Sequence, residues 1–216
     1  MKHYLLSFSR YPLLAFITCL LFLLLVATPA HGTDSGSNEG EGRLTSVSDF
    51  KIGITTIYSP DSFYAWGKIR NSSSFSVRGQ IWHSSIRYNK LTARIGTELI
   101  LTHRLSFPID GYNGPRDIRT GFGVIPVSLM MPIQMTSNVT PFALVSAGGI
   151  FLNDKLPESS GASLNYLVNI GLGLEFKATD RLDLQVGYSI QHMSNANTGN
   201  ENPGIDSHMF FLTFLF

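Results

Sequence analysis

Leu182-Asp183-Leu184-Gln185-Val186-Gly187-Tyr188-Ser189-Ile190-Gln191 alternates without a break. Leu182, Leu184, Val186, Tyr188 and Ile190 share one parity, and Asp183, Gln185, Gly187, Ser189 and Gln191 share the other. Successive side chains of a β-strand point to opposite faces, so this run predicts a strand with one apolar and one polar face. The preceding run repeats the pattern, with Val168, Ile170, Leu172, Leu174 and Phe176 opposed to Asn169, Gly171, Gly173 and Glu175. An earlier run sets Ile95, Leu99, Leu101 and Leu105 against Arg94, Gly96, Glu98, Thr102 and Arg104.

Working outward, β-type runs fall near 49–58, 75–88, 91–106, 118–132, 140–153, 164–177, 181–196 and 205–216. Turn chemistry such as Ser59-Pro60-Asp61 and Asp110-Gly111-Tyr112-Asn113-Gly114-Pro115 separates them, and no helical period intervenes. Even spacing of this kind predicts a barrel or a sandwich. A soluble barrel would put the apolar face inside and the charged face in water. Here the charged parity also carries glycines, as if crowded within a narrow tube, and its Arg94, Arg104, Glu98, Glu175 and Asp183 have opposite charges to pair. An apolar outer band over a polar interior marks a barrel in a bacterial outer membrane. The fold class expected is therefore all-β, an eight-stranded antiparallel transmembrane β-barrel of the outer membrane. Eight strands leave an interior that side chains fill, so the inner charges read as a structural network and not a channel. The alternative is a secreted lipocalin-like barrel with a dry core.

The remainder of the chain fits an envelope protein. Lys2 and Arg10 precede an uncharged apolar run over residues 13–27, and Ala30-His31-Gly32 supplies small residues at a cleavage spacing. That run is shorter than the roughly 20 apolar residues of a spanning helix, so residues 1–32 are expected to be a signal peptide. Cys19, the one cysteine, would leave with it, which excludes disulfides and thiol chemistry in the mature chain. Residues 33–47 read as a flexible N-terminal lead-in and 48–216 as the barrel. A formal net charge of +1 without a basic cluster argues against a nucleic-acid partner. No His/Asp/Glu cluster has metal-ligand spacing, and no cofactor is implied. The last strand, ending at Phe216, resembles the C-terminal signal read by the barrel assembly machinery.

The chemistry is expected at the last hairpin. Ten strand steps separate Phe216 from Asp206; at about 3.3 Å each and a tilt near 40° they climb on the order of 25 Å. Asp206 should then lie at the outer-leaflet boundary. His192 and Ser194 continue the outward parity of Leu182 to Ile190, and Asp206 shares the outward parity of Phe210, Leu212 and Phe214. A hairpin centred near Gly199 sets His192 opposite Asp206 and Ser194 opposite Gly204, with opposed Cβ atoms only about 5 Å apart. Polar groups on a lipid face are costly, so three gathered there call for a function. A serine needs an adjacent base, and the base an orienting acid. Ser194 is the expected nucleophile, His192 the base and Asp206 the acid. Asn195, by side-chain amide or backbone N–H, and the N–H of Gly204 are candidate oxyanion donors.

His192-Met193-Ser194-Asn195-Ala196 followed by Asn202-Pro203-Gly204-Ile205-Asp206 resembles the lipid A 3-O-deacylase family (PagL-type), and Gly171-Leu172-Gly173-Leu174 upstream fits it too. The resemblance implies an outer-membrane serine esterase that hydrolyses the ester-linked 3-hydroxyacyl chain at the 3-position of lipid A. Its partners would be lipopolysaccharide in the outer leaflet and the surrounding outer-membrane lipids. The family's acid is typically glutamate, and Asp206 is one methylene shorter. Taken singly, Ser194 reads as a polar strand end, His192 as an interfacial histidine and Asp206 as a turn residue; shared parity and order join them. His208 lies a step deeper and reads as a lipid or supporting contact, and His83 and His103 lack a nucleophile beside them. The rival readings are a non-enzymatic small barrel serving as envelope anchor or adhesin, and an outer-membrane phospholipase.

Overall fold

The computed structural model describes residues 44–47, 50–88, 91–133, 139–157 and 160–216. The expected signal peptide, Cys19 and the lead-in up to residue 43 lie outside these residues. Eight long strands follow: β1 (Lys51–Ser59), β2 (Ser73–Tyr88), β3 (Leu91–Pro108), β4 (Arg116–Pro132), β5 (Val139–Leu156), β6 (Ala162–Thr179), β7 (Leu182–Ser194) and β8 (Ile205–Leu215). Each pairs antiparallel with the next, and β8 pairs with β1, so the sheet closes on itself and no barrel strand is left as an edge. Reciprocal bonds between Ile52 and Phe216 seal that seam at the terminal end, at 3.0 and 2.7 Å. The stretch Leu44–Val47 pairs with Ser85–Tyr88 of β2, continuing the line of β1 along the same edge.

The outer face carries Ile54, Leu99, Val124, Phe151, Ile170, Leu172, Val186 and Phe214, all exposed and distributed around the circumference. An apolar belt of that extent cannot be left in water, and a bilayer supplies its solvent. No helix of the described residues is long and apolar enough to cross a membrane; the crossing is made by strands. Strands β2 to β6 run 16–18 residues, more than the roughly 9–11 a barrel strand needs to cross. In contrast, β1 has 9 residues and β8 has 11. The wall is thus lowest where β8 meets β1.

The interior is filled in layers. Ile69, Ile100, Phe107, Ile125, Leu167, Met193 and Ile205 pack at the end away from the termini. Trp82, Met130, Phe142, Met209, Phe211 and Leu215 pack nearer the terminal end. Glycines of the inward parity make room for this second cluster: a Cβ on Gly173 would strike the Phe142 ring, and one on Gly187 the Phe211 ring. Polar groups occupy the rest. Arg78 meets Glu98 at 3.0 Å, and Ser128 donates to the other Glu98 oxygen at 2.6 Å. Arg94 and Gln185 both donate to Glu175, at 2.6 and 2.7 Å. Lys51 pairs with Asp183 at 2.6 Å. A cavity among Arg78, Glu98, Gln185 and Ser189 measures about 20 Å³, the space of roughly one water.

Two expectations need correction. The interior is apolar in two layers as well as polar, and Arg78, absent from the expected charge network, is the partner of Glu98. The parity of β3 also reverses partway. Arg94, Gly96 and Glu98 keep the inward parity. Beyond Ile100 the register slips against both neighbours, Val77↔Thr102 giving way to Arg78↔Ile100 on one side and Ile100↔Gly123 to His103↔Gly121 on the other. The extra residue of this bulge flips every side chain that follows. Leu105, expected on the lipid face, is buried inside, and Arg104 and Thr102, expected inside, are exposed.

Candidate active site

The β7–β8 hairpin holds the register read from the sequence. His192 is paired with Asp206, and the ladder ends one step further at Met193↔Ile205. His192 Nδ1 lies 2.6 Å from Asp206 Oδ1. A carboxylate only accepts, so this contact places the proton on Nδ1 and leaves Nε2 of the neutral ring as an acceptor. Asp206, one methylene shorter than a glutamate, reaches the imidazole because direct opposition across an antiparallel pair brings the two Cβ atoms within about 5 Å. Ser194 lies two residues beyond His192 on the same outward face, about 7 Å along the strand. It is half-buried and paired in the ladder with Tyr166 of β6.

Asp206 has the outward parity of lipid-facing residues yet is only 1% exposed. The cover is a segment that sequence reasoning did not single out. After β1 the chain stays beside β8, with Ser62 paired to Ser207 and Phe63 to Asp206. Residues 64–67 then pass over the Asp206 carboxylate. The backbone N–H groups of Ala65, Trp66 and Gly67 all donate to its Oδ2, at 3.3, 2.6 and 2.6 Å. The chain next crosses the rim: Lys68 N–H donates to Pro203 O at 2.6 Å, Ile69 N–H to Gly204 O at 3.3 Å, and the Ile69 side chain enters the upper apolar layer. Gly67 marks the crossing, since a Cβ there would come within 2.8 Å of Asp206 N and Ile205 Cα. The Trp66 ring stands edge-on to the His192 ring, 5.8 Å between centroids at 84°. The one sequence signal was an aromatic-rich, glycine-ended stretch, Phe63-Tyr64-Ala65-Trp66-Gly67, between two strands.

The two oxyanion candidates sit in different surroundings. Asn195 is buried, and its N–H donates to Asn202 Oδ1 at 3.1 Å and one Nδ2 hydrogen to Glu201 O at 2.7 Å. Its Oδ1 and backbone oxygen in turn accept from Asn197 N–H at 2.9 Å and Thr198 N–H at 3.0 Å. These bonds fold the loop that carries Ala196 and Asn197 through positive φ. Gly204 sits beside the imidazole, where a Cβ would meet His192 Cε1 at 3.2 Å, and its φ of +62° suits glycine.

Three further histidines lie among the described residues. His208 faces outward one step below, bonded to the Tyr188 hydroxyl at 2.5 Å and against the Phe63 ring at 4.4 Å. His83 is exposed beside Ser84, and His103 is buried inside the barrel.

No curated protein matches the chain at the level of sequence. Among solved structures it is similar to the outer-membrane enzyme PagL, with a TM-score of 0.52 at 15% identity over 74% of this chain and 97% of that one. It is also similar to Neisserial surface protein A, with a TM-score of 0.50 at 13% identity over 79% of this chain and 97% of that one. At such identities these likenesses establish the barrel. The family model for lipid A 3-O-deacylase (PagL) matches residues 51–214, all eight strands and the whole of the constellation above. The chain is a bacterial outer-membrane β-barrel and belongs to the lipid A 3-O-deacylase (PagL) family.

Proposed function

We propose that this protein is a serine esterase that removes the ester-linked 3-hydroxyacyl chain from the 3-position of lipid A in the outer leaflet. The observation that carries the reading is the His192 Nδ1–Asp206 Oδ1 contact of 2.6 Å on the outer wall, two residues from Ser194. Membership of the deacylase family agrees with it.

Asp206 holds the ring with its proton on Nδ1, so Nε2 accepts the Ser194 proton as Oγ attacks the ester carbonyl. The carbonyl electrons move onto oxygen, where the N–H of Gly204 and the amide or backbone N–H of Asn195 are the proposed donors. Collapse of the adduct breaks the bond between acyl carbon and sugar oxygen, and the imidazolium proton goes to that oxygen. Water, deprotonated by the same Nε2, then releases the fatty acid from Ser194. Alignment of Ser194 with Nε2 tightens as substrate binds. Lipid A reaches the site sideways from the leaflet, its acyl chains against the apolar outer wall. The same reading makes residues 1–32 a cleaved signal peptide, 33–47 a lead-in, and the strand ending in Phe216 the element handed to the barrel assembly machinery.

The test is mass spectrometry of lipid A incubated with the refolded protein, beside a Ser194→Ala control. Loss of one 3-hydroxyacyl mass with wild type alone is expected. Unchanged lipid A from a folded wild-type barrel would refute the activity.

A further inference from the structure

The segment between β1 and β2 lies outside the hairpin that carries the triad, yet it touches the acid and the base. Three consecutive backbone donors, from Ala65, Trp66 and Gly67, converge on a single oxygen, Asp206 Oδ2. The other oxygen, Oδ1, is left to His192. A short carboxylate side chain at a strand start has two torsions to fix, and donors to a charged acceptor are stronger than neutral ones. The segment is itself anchored on both sides of the clamp. Ser62 and Phe63 are paired with β8, and Lys68 and Ile69 are bonded to Pro203 and Gly204. Trp66 adds the edge-on contact that limits rotation of the imidazole. Trp66 itself is 76% exposed, so its ring does not serve to fill a core.

We infer that residues 65–67 are a positioning clamp, whose backbone N–H groups and Trp66 ring hold Asp206 and His192 in their productive pairing. The inference rests on the triad proposed above and deepens it. Seating the clamp requires glycine at 67, because the β8 backbone occupies the space a Cβ would take. The chain therefore builds its site from two strands and the β1–β2 connection, with the acid aimed by an element that carries none of the triad.

The test compares the full refolded barrel with Gly67→Ala, and Trp66→Pro with Trp66→Ala. The last pair isolates the Trp66 N–H, because both lose the ring and only proline loses the donor. Two readouts are taken on each: steady-state kinetics on lipid A, and two-bond proton–nitrogen NMR of the His192 ring, with heat-modified gel mobility reporting folding. Gly67→Ala, and Trp66→Pro relative to Trp66→Ala, are expected to lower kcat by on the order of 10²-fold, as for a displacement of about 1 Å, with KM little changed. The His192 ring should lose its single Nδ1–H tautomer and become a mixture. A folded variant with wild-type kcat and an unchanged Nδ1–H signature would overturn the clamp. Should wild type itself leave lipid A intact, the deacylase reading fails. The NMR comparison still decides the clamp, since the tautomer is either lost in Gly67→Ala and Trp66→Pro or retained.

Discussion

Replacing Asp206 by asparagine separates the two duties of this residue. The amide keeps the shape and one acceptor oxygen, so the N–H groups of Ala65, Trp66 and Gly67, at 3.3, 2.6 and 2.6 Å, retain their partner. Its NH₂ then faces His192 Nδ1, now 2.6 Å from Oδ1, and a donor there forces Nδ1 to accept. The ring proton moves to Nε2, which no longer takes the Ser194 proton. For a triad with an inverted tautomer the loss in kcat is on the order of 10⁴, equivalent to about 5.4 kcal/mol in the barrier. Stability should change little. Asp206→Ala, in contrast, removes the acceptor of every donor around it, and each buried group so orphaned costs about 1–3 kcal/mol. Initial rates of fatty-acid release by mass spectrometry give the first quantity. Guanidinium unfolding in lipid vesicles, followed by tryptophan fluorescence, gives the second. An asparagine variant that turns over within tenfold of wild type would show that Asp206 does not orient His192, and the proposed triad would be wrong.

Further outcomes are expected elsewhere in the barrel. Glu98→Gln strands the Arg78 guanidinium, whose side chain is 4% exposed, and should destabilise by about 3–5 kcal/mol in the same unfolding assay. Leu172→Arg places a charge on a residue 66% exposed to lipid and should cost about 2–4 kcal/mol; a change below 1 kcal/mol would mean that this face is not at the membrane midplane. Gly187→Ala drives a methyl into the Phe211 ring and should cost about 1–3 kcal/mol by overpacking, with activity in the folded fraction unchanged.

Much of the site was legible because a hairpin is a local object. The parity of Leu182 to Ile190 and of Phe210 to Phe214 fixed the outward faces, and the loop length between them set His192 against Asp206. Nothing comparable linked Trp66 or Gly67 to a residue about 140 positions away. The turn bonds of Asn195 were hidden for a related reason. A sequence presents an amide as a free donor, whereas here Asn202 and Glu201 take up its N–H and Nδ2.

Alternation along single strands thus determined, from the sequence alone, that this chain forms eight strands with an apolar outer face and that His192, Ser194 and Asp206 share that face. A period of two is written in the residues themselves, and antiparallel neighbours inherit it. Tertiary structure alone decided where the period breaks and what covers the acid. The bulge after Ile100, which sends Leu105 inward and Arg104 outward, exists because two neighbouring strands must both be matched. The donors on Asp206 exist because closing the ring brings the exit of β1 beside the start of β8. Closure is a property of the whole sheet, and no window of sequence contains it.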